Sequence, residues 1–481
     1  MKRWTSLLAG FLLAVSFQTV WGQETPAETR ARELARVIST GDRAEARRYV
    51  KENFGGEMAK MPMEEHLGFF SWIHDLTRGV EWQGATRENP HNTIATLQSK
   101  LTGDWVGLRV RVEAAAPHLI TGVGLGPAKP PAGTGSTGPL TNKQIAQELE
   151  GMIKKLVAAD LFSGTVLLAR DGVPIFSGAY GAANKDFNVP NRLDTKFNLG
   201  SMNKMFTGVA IMQLVERGQL SLEDPLAKFL PDFPDPEAAK KIRIKHLLTH
   251  TAGLGGYFSK RFWESSRDLY RTVDDMIKLA AADEKLLFEP GARWQYSNTG
   301  MLVLGKVVEK VSGQSYYDYV RENIYRPAGM VNTDCYELDK VTPNLAIGYD
   351  KDFTDSGVIF RNNIFSHVLR GGPQGGGYST AEDLLKFERA LRGNKLLKTE
   401  SVKLMLSAKP ELNSPNYGFG FQVDTEKQLV GHGGGFRGIS SNLDIFLGNG
   451  YTAIFMSNYG NGAGRNIMEK MRELVMRAAG E

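Results

Sequence analysis

From Asn198 to Gly218 the chain reads "NLGSMNKMFTGVAIMQLVERG", apolar on nearly every face of a helix. Such a helix is buried rather than laid on a surface, yet it opens with Ser201 and Lys204. A second apolar helix is predicted from Met301 to Val311, another over 141–160 and a last from about Arg465 to Ala478. Two runs read as strand pairs instead. "SGTVLLARDGVPIFSGAYG" turns at Asp171-Gly172, a dipeptide suited to a tight hairpin, and "GISSNLDIFLGNGYTAIFMSNYG" turns at Gly448-Asn449-Gly450. Strands at both ends with helices between predict a mixed α/β (α+β) architecture. An antiparallel sheet is completed by both ends of the block and flanked by helices, and a helical lobe is inserted in the middle.

The first part of the chain follows a different pattern. Leu34, Val37 and Ile38 recur at helix spacing, 44–50 continues after a Gly41-Asp42 break, and "EEHLGFFSWIHDL" is a third helix. Alternation then takes over in "TIATLQSKL", "WVGLRVRVEA" and "HLITGVGLGP". By element order alone this small α+β segment resembles the cone-shaped nuclear-transport-factor/ketosteroid-isomerase-like fold. His66, His74 and Asp75 are read there as core or surface residues, and the domain as a binding or packing accessory. "PAKPPAGTGSTGP" has the composition of a linker. Ahead of everything, Lys2 and Arg3 precede an apolar run from Leu7 to Val15 that is too short to span a bilayer, and Val20-Trp21-Gly22 follows. This reads as a secretory signal peptide. The expected division is therefore signal peptide 1–22, accessory domain 23–126, linker 127–139 and main domain 140–481. The expected location is periplasmic or secreted, with no stable membrane span after cleavage.

Composition narrows this little further. The chain has 481 residues, is 42% hydrophobic and 23% charged, and so is globular. Its net charge of +5 is spread without a basic tract, which excludes nucleic acid as an expected partner. Cys335 is the single cysteine, so no disulfide framework or cysteine-built metal cluster arises. His246 and His250 stand at i and i+4 but lack the glutamate of H-E-x-x-H, so no metal site is expected there. "GGPQGGGYST" has no G-K-[ST] and reads as a flexible loop bordering the site; no G-x-S-x-G elbow occurs.

Candidate chemistry enters with three short motifs. On a helix, Ser201 and Lys204 share one face. Burial lowers a lysine pKa, and a neutral amine can take a hydroxyl proton to make an activated nucleophile. Tyr296-Ser297-Asn298 precedes the second apolar helix, where a phenol whose pKa is depressed by nearby cations relays a proton to a leaving group. His432 is followed by Gly433, Gly434 and Gly435 and then a strand. The N–H of Gly435 would pair with that of Ser201 as an oxyanion hole, and His432 would add a donor or a positive charge.

S-x-x-K, Y-x-N and H-x-G in this order resemble the serine β-lactamase and penicillin-binding-protein superfamily, most nearly its class C β-lactamase-like esterases and D-alanyl-D-alanine carboxypeptidases. "IRIKHLLTHTAGL" and "FEPGARWQYSNTGMLVLGKVVEKVSG" are also similar, and the likeness covers roughly residues 140–480. The resemblance implies a two-lobed β-lactamase/transpeptidase-like fold and a serine hydrolase that works through an acyl-enzyme and needs no cofactor. It implies Ser201 as nucleophile, Lys204 as its base, Tyr296 as proton shuttle and Asn298 as the residue orienting the substrate amide. His432, Gly433 and Gly434 are implied to border the substrate. The expected substrates are small esters, peptides or β-lactams, with an esterase or D-amino-acid peptidase ahead of a β-lactamase proper or a non-turnover penicillin/peptidoglycan sensor. Histidine stands at position 432 where lactamases have lysine, which weakens the case for efficient β-lactam turnover. Oligomeric state is left open.

Overall fold

The computed structural model describes residues 24–128, 138–281, 285–460 and 463–479. The expected signal peptide and most of the expected linker lie outside the described residues. Contacts divide the chain into two units: residues up to 74 with 78–133, and 75–77 with everything from 134 on.

In the first unit, helices Pro26–Thr40, Arg43–Asn53 and Met63–Thr77 precede four antiparallel strands in sequential order, Val80–Asn89, Asn92–Ser99, Trp105–Val112 and Ile120–Pro127. Thr25 closes a capping box with Glu28 and fixes the first helix start. Burial alternates strictly along Asn92–Ser99, so one face packs on the core. Val80–Asn89 is a strand that the sequence pattern does not predict. Beyond Val80 its residues are largely exposed and polar, and pairing with Asn92–Ser99 defines it. His66 and His74 each bond a main-chain carbonyl, Met58 O and Ile38 O, both at 2.9 Å.

The second unit holds a six-stranded antiparallel sheet in the spatial order Gln422–Asp424, Leu429–Phe436, Ile439–Phe446, Tyr451–Ser457, Gly164–Arg170, Val173–Tyr180. Both ends of the block do complete one sheet, with Leu167 opposite Ile454. The Asp171-Gly172 turn forms as its dipeptide requires: the two residues adopt φ of 49° and 75°. Helices Asn142–Ala158 and Ala463–Met476 pack on one another, and Ala381–Arg392 lies against the central strands. The helices Asn203–Glu216 and Asn298–Ser312 pack together through the main core. A separate small core of Tyr257, Phe262, Tyr270, Met276, Leu279, Ala280 and Leu302 belongs to the inserted helical lobe. No helix among the described residues is long and apolar enough to cross a membrane.

Candidate active site

The turn that carries Ser201 is held from below. Strand Phe197–Asn198 pairs with Tyr378–Ser379, and Leu199 N donates to Gly377 O at 2.7 Å. Gly200 turns the chain with a φ of 51° that favours glycine. Ser201 sits in the short 3-10 turn Gly200–Met202 that leads into Asn203–Glu216. That helix is buried on all sides as its pattern required, and polar residues at its start are bonded to the loop beside it. Asn203 Oδ1 accepts from Gly377 N at 3.0 Å, and Thr207 Oγ1 donates to Pro373 O at 2.8 Å.

Lys204 is fully buried. Its Nζ donates to Asn298 Oδ1 at 2.8 Å and to the main-chain oxygen of Gln374. No carboxylate among the described residues pairs with it, and burial drives its pKa well below the ordinary lysine value. In its neutral form the amine has two N–H bonds, and both go to these acceptors. Its lone pair is then free to receive a hydroxyl proton.

Ser297 caps the second helix in extended conformation, with φ −131° and ψ 115°, and its Oγ accepts from Gly300 N. The extended cap sends the residues on either side of it, Tyr296 and Asn298, into one cavity with Ser201. Lys204 Nζ lies 4.8 Å from the Tyr296 ring centroid. The expected depression of the phenol pKa does not occur. Burial pushes it up, opposed by the neighbouring Ser201 side chain and helped by the Tyr257 phenol. Tyr296 is a phenol that can pass protons on, not a standing phenolate.

His432 also departs from expectation. It is 2% exposed. Its Nδ1 lies 2.6 Å from Gly433 O, so Nδ1 carries the proton, and Nε2 accepts from Tyr417 Oη at 2.9 Å. Burial pushes its pKa down to about 3. It is neutral with both nitrogens occupied, and it offers neither a cation nor a free donor. Its ring centroid stands 6.4 Å from that of Tyr296.

Ser201, Tyr296, Asn298 and Gly435 line one cavity of about 280 Å³; His432, Gly433 and Gly434 are not among its lining residues. Gly434 instead packs on the turn that carries Ser201, where a Cβ would stand 1.9 Å from Leu199 O. A Cβ on Gly200 would stand 2.9 Å from the Gly435 nitrogen. The sheet edge and the serine turn therefore meet closely because glycines stand on both sides of the contact. Gly375 and Gly376 close the other side, with Gly376 N donating to Gly200 O at 3.0 Å. The glycine-rich loop does border the site.

Several neighbours carry no motif that marks them in the sequence. His250 stands out there only as a possible metal ligand with His246. The helix Ile244–Leu248 ends before it and His250 takes a φ of 60°, so the two do not share a helical face. Its ring packs 4.5 Å from Tyr296 and 4.6 Å from Tyr417. Its Nδ1 accepts from Ser297 N at 3.2 Å, and its Nε2 has no partner among the described residues. Burial holds it neutral. Tyr257, Phe258 and Phe262, which follow it, line the cavity, as does Phe436 beside Gly435. The aromatic run "GYFSKRFW" was the available signal. Cys335 is buried against Asn203 Nδ2 at 3.5 Å, and burial raises its thiol to about 12, which leaves it protonated and a poor nucleophile.

The family model for Beta-lactamase matches residues 149–475. Over 329 residues, 65% of this chain and 71% of the relative, the chain is 31% identical to penicillin-binding protein 4* of Bacillus subtilis. It is 31% identical to Esterase EstB of Burkholderia gladioli over 315 residues, 58% of this chain and 79% of that one. Among solved structures, a penicillin binding protein from Bacillus halodurans superposes with a TM-score of 0.60 at 28% identity, covering 69% of this chain and 98% of its own. The match over most of the second unit, on a fold with S-x-x-K, Y-x-N and H-x-G gathered at one place, means that the chain belongs to the β-lactamase family of serine hydrolases, within the serine β-lactamase and penicillin-binding-protein superfamily.

Proposed function

We propose that the protein is an exported hydrolase of esters or amides that works through an acyl-enzyme on Ser201. The observation that carries this reading is that Ser201, Tyr296 and Asn298 line one cavity while the buried Lys204, its pKa driven down, holds Asn298 and lies 4.8 Å from the Tyr296 ring. Ser201 Oγ attacks the carbonyl carbon while its proton passes through the Tyr296 hydroxyl toward the free lone pair of Lys204. The N–H groups of Ser201 and Gly435 receive the developing oxyanion. The proton then returns through Tyr296 to the leaving oxygen or nitrogen. Water attacks the acyl-enzyme along the same relay and releases the acid. Asn298 fixes Lys204 and faces the substrate amide or ester. His432 holds the sheet edge through Tyr417 and bears no charge, so a substrate carboxylate meets no cation there, which favours neutral esters and amides over β-lactams and carboxyl-terminal peptides. Export rests on the sequence of residues 1–22.

Intact-protein mass spectrometry after a fluorophosphonate, and separately after a penicillin, tests this. Wild type is expected to gain one fluorophosphonate adduct that Ser201→Ala lacks, and Ser201→Ala is expected to lose about a thousandfold or more in ester hydrolysis. Absence of any adduct would sink the proposal. A penicillin adduct persisting for hours would replace hydrolysis with the sensor reading.

A further inference from the structure

The cavity beside Ser201 has walls that the catalytic groups do not explain. Tyr257, Phe258 and Phe262 come from the segment after His250, and Phe436 and Ile439 from the sheet edge beside Gly435. The Phe258 and Phe436 rings lie 5.4 Å apart at 16°, a stacked pair that joins the helical lobe to the sheet. Trp263, 44% exposed, continues the stack with centroids 5.9 Å from Phe258 and 6.3 Å from Phe436. Phe258 itself is 40% exposed. Large aromatic faces left open to water beside a nucleophile are an apolar binding surface.

The same walls are free of charge. Among the described residues, no lysine, arginine, aspartate or glutamate lines the cavity. The histidine in the wall, His367, is pushed down to about 4 by burial and stays neutral. Arg437, next to Phe436, is exposed and holds its guanidinium over the Trp263 ring, 5.4 Å from the centroid. An ammonium or carboxylate entering the cavity would lose water and gain no oppositely charged partner.

Orientation follows from the relay. Phe436 directly follows Gly435, so the aromatic walls stand beside the oxyanion position. Tyr296, which returns the proton to the departing group, lines both this cavity and a second one of about 540 Å³ bounded by Trp294, Tyr417 and Asp424. The group that stays on Ser201 occupies the aromatic cavity, and the departing group leaves past Tyr296.

Resting on the acyl-enzyme reading above, we infer that this enzyme selects uncharged aromatic or bulky apolar acyl groups, and that the stacked Phe258–Phe436 wall is its specificity determinant. Substrates with a charged acyl group, a D-alanyl ester with its free ammonium among them, are discriminated against.

The test keeps one leaving group and varies the acyl group: 4-nitrophenyl esters of phenylacetic acid, acetic acid, succinic acid and D-alanine, with wild type, Phe258→Asp and Phe436→Ala. Wild type is expected to favour phenylacetate over acetate by at least about tenfold in kcat/KM, and to disfavour both charged esters by a similar factor. In Phe436→Ala the phenylacetate-to-acetate ratio should fall by about tenfold. In Phe258→Asp the D-alanine ester should gain on phenylacetate by about tenfold, because a carboxylate now faces the ammonium. Equal rates for acetate and phenylacetate, or preference for a charged ester in wild type, would overturn the inference. So would selectivity that follows the alcohol in a parallel series of acetates. Those results leave acylation of Ser201 intact, whereas wild type inert to every ester and to fluorophosphonate defeats the catalytic reading itself.

Discussion

At the scale of single residues, burial lowers the pKa of the amine and the imidazoles gathered around Tyr296. Lys204 has two acceptors and no counter-ion among the described residues, so its proton is lost at a pH well below that of an ordinary lysine. Activity should therefore rise through the depressed Lys204 pKa as pH increases, and should show no limb near 6.5 from His432, whose pKa lies at about 3. A kcat/KM profile on a non-ionising ester between about pH 5 and 9 checks this. A limb near 6.5 that vanishes in His432→Gln would contradict the neutral histidine. The Ser201–Lys204 pairing was legible in the sequence, because spacing fixes which residues share a helical face and an all-apolar run announces burial. The protonation of Tyr296 and His432 was not legible. It depends on Tyr417, the Gly433 oxygen and the surrounding burial, which chain spacing does not encode.

At the scale of elements, glycines set how closely the pieces approach. Gly305 lies within Asn298–Ser312, and a Cβ there would stand 2.0 Å from Pro373 Cγ. Pro373 precedes Gln374, whose oxygen accepts from Lys204. Gly305→Ala should therefore push the loop away, destabilise the fold by about 1–3 kcal/mol and lower kcat. Gly151 is the contrasting case: it is exposed within Asn142–Ala158, and a Cβ placed there would meet nothing within 4 Å. Gly151→Ala should stabilise by about 0.5–1 kcal/mol without touching kcat. Chemical unfolding together with steady-state rates on both variants separates the two. In the second unit the helices Asn142–Ala158, Asn203–Glu216, Asn298–Ser312 and Ala463–Met476 and the hairpins at Asp171-Gly172 and Gly448-Asn449-Gly450 were legible because their periodicities and turn dipeptides are local, whereas Ala381–Arg392 is not among the predicted helices. The strand Val80–Asn89 was not legible either, since a mostly exposed strand owes its existence to its partner.

For the whole molecule, acid should act through buried histidines. His246 and His367 are pushed down to about 4, His432 to about 3, and His250 well below the ordinary value of 6.5, in each case mainly by burial. Between those values and 6.5 the unfolded chain binds protons that the folded chain refuses. Stability is then full above about 6.5 and falls as pH drops toward 4, by up to about 1.4 kcal/mol per pH unit for each histidine. Urea midpoints measured across this range should show proton uptake on unfolding, reduced by close to one proton in His432→Gln. A flat profile would refute it.

By itself the sequence determined four helices and two hairpins of the second unit, the sheet built from both its ends and the three motifs, because each is written in local spacing or in their order along the chain. Tertiary structure alone decided which groups carry charge at the site, that His250 and Tyr417 pack around Tyr296, and that Phe258 meets Phe436. Burial and ring contacts between segments far apart in the chain are properties of the packed core, and no local pattern contains them.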